Sequence, residues 1–135
     1  MKTPPKRPIP KSKPYKNFIN WFEIPAANFE RAVNFYNKIY QIEMECNSMG
    51  GYSMAFFPVE NGVGGAIIYG EGSFPSDKGP LLYLNGGNDL NTILSRVEDA
   101  GGTILLNKQL INEEAGYFAL FTDTEGNKLA LHSKS

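Results

Sequence analysis

The sequence predicts an α+β domain of two βαβββ modules in a pseudo-twofold repeat, forming a curved mixed sheet, or cup, with the helices outside. Three observations carry this prediction. A short aromatic and β-branched run is followed by an amphipathic helix pattern and then by strand-like segments. The same order recurs about 60 residues further on. Finally, 135 residues are enough for one core and too few for two independent ones.

Each element follows from its residues. Phe18, Trp21, Phe22 and Ile24 form a strand-like run that stops at Pro25, as the loss of a backbone donor requires. Asn28 is placed to cap a helix in which Phe29, Ala32, Val33, Tyr36 and Ile39 or Tyr40 recur at the spacing of one buried face. Ile42 to Cys46 reads as a strand, Gly50 and Gly51 break the chain, and Tyr52 to Val59 pairs across Glu60-Asn61-Gly62 with Val63 to Tyr69.

The second half is matched to the first at an offset of 61. Trp21 to Ile24 lies over Leu82 to Asn85, and Asn28-Phe29 over Asp89-Leu90, which opens a helix with Leu90, Ile93, Leu94 and Val97 on its buried face, ending at Gly101-Gly102. Thr103 to Leu106 supplies the next strand, and Gly51 to Phe57 matches Gly116 to Phe121 at an offset of 64 to 65. Residues 17–70 and 81–135 are therefore the two modules and 70–80 the linker. Neither module buries both its helix and its sheet face alone, so the two must share a core.

Composition excludes several functions. Residues 1–16 form a proline-rich arm with Lys2, Lys6, Arg7, Lys11, Lys13 and Lys16 and no acid, predicted to be flexible or extended. These are six of 13 basic residues, leaving 7 basic against 14 acidic side chains, a balance that repels nucleic acid from the folded part. No apolar run approaches the length of a membrane span. One cysteine, Cys46, precludes an internal disulfide and a cysteine-based zinc site, and with no leader pattern the expected location is the cytoplasm. The glycines at 62, 64 and 65 sit in a hairpin with no helix behind them, which argues against a phosphate loop.

The paired modules, the first-helix segment Asn28-Phe29-Glu30-Arg31-Ala32 with Phe35-Tyr36, and the closing Asp123-Thr124-Glu125-Gly126-Asn127 together resemble the vicinal oxygen chelate superfamily, the glyoxalase and bleomycin-resistance fold. The last segment is similar to that superfamily's Asp-Pro-x-Gly-Asn hairpin, with Thr in place of Pro. The likeness runs from Phe18 to His132. It implies a fold that serves lyases, dioxygenases, epimerases, thiol transferases and drug-binding proteins, and often a homodimer whose contact completes the cup. It also implies metal-ligand positions, which fall here on Trp21, on Ala66 or Ile67, on Leu82 and on Ala130. None of these side chains ligates a metal, so no cofactor is expected.

The pocket candidates are Trp21, Glu23, Tyr52, Leu82, Tyr83, Leu84 and His132. Strand alternation puts Glu23 on the side of Trp21, and His132 on the side of Ala130 and Lys128, so Glu23 and His132 are expected to form a polar pair in or beside an apolar cup. No catalytic residue is assigned. The expected function is metal-free binding of a small organic, partly apolar or aromatic ligand. The alternatives are a lyase, isomerase or dioxygenase of the same fold acting on a small metabolite, and a protein-interaction module whose cup is filled by its own side chains. Phe74 and its glycine- and proline-rich surroundings are a linker, or a lid over the cup.

Overall fold

A computed structural model describes residues 3–5, 9 and 11–135. Lys2, Lys6, Arg7, Pro8 and Pro10 of the arm lie outside the described residues, and the arm residues that are described are exposed and without regular structure. The element order is β1 (Trp21–Pro25), α1 (Phe29–Tyr40), β2 (Glu45–Met49), β3 (Tyr52–Phe56), β4 (Gly64–Tyr69), β5 (Tyr83–Asn85), α2 (Asn91–Leu94), β6 (Thr103–Asn112), β7 (Gly116–Thr122) and β8 (Lys128–Ser133). This is βαβββ twice.

Each module contributes one four-stranded mixed sheet. Sheet A runs β1-β4-β3-β2 and sheet B runs β5-β8-β7-β6, each with one parallel pair, β1 with β4 and β5 with β8. The sheets do not close on each other within the chain. The reason is α1, whose amphipathic face (Ala32, Val33, Phe35, Tyr36, Ile39) is buried in a single cluster with Ile24, Ala55 and Ile67 of sheet A and Ala119, Phe121, Leu129 and Leu131 of sheet B. Phe35 stacks 6.1 Å from Phe121 of the second module, and Tyr36 5.6 Å edge-on from Phe57 of the first. The expectation of a shared core is met by one helix serving both sheets.

α1 starts as expected: the Asn28 side chain accepts from the Arg31 N–H at 3.1 Å. The backbone N–H groups just ahead of the helix are served from the far module. Glu125 Oε1 accepts from the N–H groups of Ala27 (2.9 Å) and Asn28 (2.7 Å), and Oε2 pairs with Arg31 at 2.8 Å. A carboxylate is favoured there by the helix dipole. Burial alone pushes the Glu125 carboxyl up, but hydrogen bonds from Arg31, the Asn28 N–H and Thr124 outweigh it and hold the group below its ordinary value. A lowered folded value means that this stabilisation is complete above the unfolded pKa, roughly 4.3, and is lost as pH falls through the folded one. Chemical denaturation of Glu125→Gln against the native chain is therefore expected to show a deficit of about 1–2 kcal/mol at neutral pH that narrows in acid. A deficit independent of pH would assign the loss to packing.

Several elements differ from the sequence reading. β2 runs Glu45–Met49 where Ile42 to Cys46 was expected, and β3 stops at Phe56 instead of Val59, so that a loop and not a tight turn leads to β4. β1 begins at Trp21, and Phe18 is left 86% exposed. α2 has four residues, because the segment after Leu94 tightens into i to i+3 bonds such as Arg96 N–H to Ile93 and Val97 N–H to Leu94. β6 is ten residues long and bulged, where four were expected. No helix among the described residues is long and apolar enough to cross a membrane.

Candidate functional site

Each sheet turns one face to the core and leaves the other open, and the strand registers show which residues share a face. On sheet A, Glu23 lies beside Ala66, Ala66 beside Phe56, and Phe56 beside Glu45. Trp21 is one step along β1, 46% exposed, with its ring 6.1 Å from that of Phe56 and its Nε1–H donating to Glu23 at 3.4 Å. On sheet B, one row crosses the strands as Tyr83, Ala130, Leu120 and Leu106, and the next as Asn85, His132, Phe118 and Gln109. The Tyr83 and Phe118 rings are 6.4 Å apart.

The registers correct the sequence alignment. Ile24 and Leu84 are both buried in the core, and Glu23 beside Ala66 is matched by Tyr83 beside Ala130, so the strands are offset by 60. The N-cap of α2 is Leu90 and not the expected Asp89, which accepts from the Asn91 N–H at 3.0 Å, so the helix caps Asn28 and Leu90 are offset by 62. The second module holds two more residues between strand and helix, in the turn around Gly86 and Gly87, where Gly87 takes a positive φ of 72°. Leu84 is thus a core residue. Leu82 packs, partly buried, against the same core, and its carbonyl accepts from the Ala130 N–H at 2.9 Å. Neither lines the open face.

The remaining candidates are dispersed over the two faces. Tyr52, at the start of β3, donates its hydroxyl to the Glu71 carbonyl at 3.0 Å. His132 faces outward from sheet B, and its Nε2 lies 2.5 Å from the Ala115 carbonyl. A carbonyl only accepts, so Nε2 carries the proton and Nδ1 is left for other partners. The expected Glu23–His132 pair does not form within the chain: the two belong to different sheets whose open faces lie on opposite sides of the shared core, and among the described residues no hydrogen bond or ion pair joins them. Phe56, Glu45, Phe118, Leu120, Asn85 and Gln109 were missed. Alternation along each hairpin, counted out from Trp21 and His132, is the signal that would have found them.

The two open faces do not enclose a cup between them among the described residues. An open groove of about 410 Å³ lies at the end of sheet A, between Ala26, Tyr69 and Phe74, away from both open faces. The linker beside it is partly tied down, with the Ser76 N–H donating to Asn127 at 3.0 Å; Phe74 is 79% exposed.

Comparison with solved structures places this architecture. A glyoxalase I mutant from Zea mays superposes with a TM-score of 0.67 at 20% identity, over 84% of this chain and 45% of that one. A glyoxalase/bleomycin resistance protein/dioxygenase family enzyme from Burkholderia phytofirmans PsJN gives 0.63 at 12% identity, over 86% and 98%. The fold is that of the vicinal oxygen chelate superfamily. TnmS3, an antibiotic binding protein from Streptomyces sp. CB03234, has the same superfamily fold, with a TM-score of 0.58 at 18% identity over 88% of this chain and 97% of its own. The chain spans less than half the length of the maize glyoxalase it matches. No family model matches it, and no curated protein matches it in sequence.

The superfamily's divalent metal does not fit the residues present. At the open-face positions flanking the small residues Ala66 and Ala130 stand Trp21, Glu23 and Tyr83, with one carboxylate among them. Among the described residues no three His, Cys, Asp or Glu side chains converge, fewer than a divalent ion of this kind takes from a protein.

Proposed function

We propose that this chain is a metal-free binding protein of the glyoxalase fold that holds a small, partly apolar or aromatic organic ligand against its open sheet faces, with sheet A of one copy covered by sheet B of a second. The observation that carries this reading is the pair of outward aromatic faces, Trp21 with Phe56 and Tyr83 with Phe118, on which Trp21 and Tyr83 are left about half exposed among the described residues. Apolar surface arranged in this way marks a site of association or ligand binding. The shared fold of an antibiotic binding protein supports a binding role over a metal-dependent reaction.

Three measurements on the full chain test this. Sedimentation is expected to show a dimer at micromolar concentration. A thermal-shift screen of planar aromatic compounds is expected to return ligands that raise Tm and quench Trp21, the only tryptophan. Metal analysis after exposure to nickel, zinc, manganese and iron is expected to find no retained ion. A monomer that no compound stabilises would overturn the reading in favour of a protein-interaction role, and about one tightly held ion per chain would restore a lyase, isomerase or dioxygenase.

A further inference from the structure

We infer that the ligand taken by this site is an organic cation, a protonated amine or guanidinium joined to a flat or apolar body. The inference rests on the binding role proposed above and names the chemistry it selects. Sheet A presents an aromatic platform with a carboxylate at each side. The row across its strands is Glu23, Ala66, Phe56, Glu45, and Trp21 extends over Gly64, where an added Cβ would come within 3.1 Å of the indole ring. Gly64 and Ala66, the two smallest residues of this face, let the rings lie close to the sheet, and Ala66 is completely buried. The two rings, 6.1 Å apart and tilted, pack on each other and present one aromatic wall, with the two carboxylates as the other.

Both kinds of wall select for positive charge. The ring faces carry the negative side of their quadrupoles and attract a cation placed over them. The carboxylates of Glu23 and Glu45 supply full charges, and the described strand positions that share this face hold no Lys or Arg to neutralise them. Glu23 is also fixed in place: the Trp21 Nε1–H donates to its Oε2, so the carboxylate stands at the edge of the indole. A neutral aromatic molecule would gain only the stacking contacts, and an anion would be repelled by both carboxylates.

The test uses three probes of one shape, 4-phenylbutylamine, 4-phenylbutanol and 4-phenylbutyrate, titrated into the full chain with Trp21 fluorescence as the reading and calorimetry as the check. The amine is expected to bind about tenfold more tightly than the alcohol, with the carboxylic acid weakest. Raising the salt concentration should narrow the difference. Glu23→Gln is expected to bring the amine-to-alcohol ratio close to one and Glu45→Gln to reduce it less; both side chains are exposed, so an unchanged Tm will show that the variants fold. An alcohol that binds as tightly as the amine, or a ratio unmoved by Glu23→Gln, would overturn the cation preference and leave the binding role standing. If none of the three binds at millimolar concentration, both this inference and the role beneath it fail.

Discussion

Phe121→Ala is expected to lower the unfolding free energy by about 3–5 kcal/mol, and the loss is expected to register in module one, where the residue does not reside. Phe121 is completely buried on β7 and stacks against Phe35 of α1, so truncation opens a cavity where the second sheet meets the first module's helix. Trp21 lies on the opposite, outward face of β1. Within the chain its ring packs on Phe56 of β3, so at a protein concentration low enough to keep copies apart its fluorescence follows module one. Urea unfolding followed by Trp21 should move to a lower midpoint together with the backbone signal. A Trp21 transition unaffected by Phe121→Ala would mean that the modules unfold independently, against the single core cluster.

Asp123→Ala is expected to cost about 3–4 kcal/mol, since the variant leaves several buried polar groups without a partner at once. The Asp123 carboxylate accepts from the Tyr36 hydroxyl at 2.7 Å, from the Asn127 side chain at 3.0 Å, and from the backbone N–H groups of Glu125 at 2.8 Å and Asn127 at 3.0 Å. Asn127 in turn donates to the Pro25 carbonyl at 2.7 Å and accepts from Ser76. The closing hairpin is thus a clasp over the first strand, the first helix and the linker. Burial in the first place, together with the adjacent Asp123 charge, raises the Tyr36 hydroxyl well above its ordinary value, which keeps it a donor. Tyr36→Phe removes one of four bonds and should lose about 1–2 kcal/mol; thermal unfolding of the two variants side by side checks the order. Equal losses would mean that the hairpin's grip on α1, and not its own turn, carries the effect.

The duplicated architecture was legible because its signals are local and repeated: the capped helix at Asn28, the glycine breaks, and the second pass through the same pattern. The alignment of the two passes was legible only to within one residue. Helix caps and strands carry separate registers, and extra residues in a glycine turn are invisible until Ile24 and Leu84 are seen in the same core. In a strand, an error of one residue exchanges faces, which is why Leu82 and Leu84 were read as pocket residues and Asn85 was passed over. Trp21 and Glu23 were placed on one side by alternation, and that is where they lie. What alternation does not give is which sheet faces which. The separation of Glu23 from His132 follows from α1 bridging both sheets, a long-range contact with no mark in the local pattern. The role of Glu125 was missed for the same reason: its partners at Ala27 and Asn28 are close to a hundred residues away in sequence.

The sharing of α1 between both sheets also bears on how such a chain can arise from a duplicated half. A free half of this kind would show water both its outward aromatic face and the inner face that now meets the other module, and it would be ordered only against a second half. Joining two halves in one chain turns that encounter into an intramolecular one, at an effective concentration in the millimolar range for a short flexible connection. Once joined, the halves no longer need to be alike. The ten-residue β6 against the five-residue β2, and the uncharged row of Tyr83, Ala130, Leu120 and Leu106 against the equivalent acidic row of Glu23, Ala66, Phe56 and Glu45, are divergence of a sort that a symmetric pair of separate halves could not have stored.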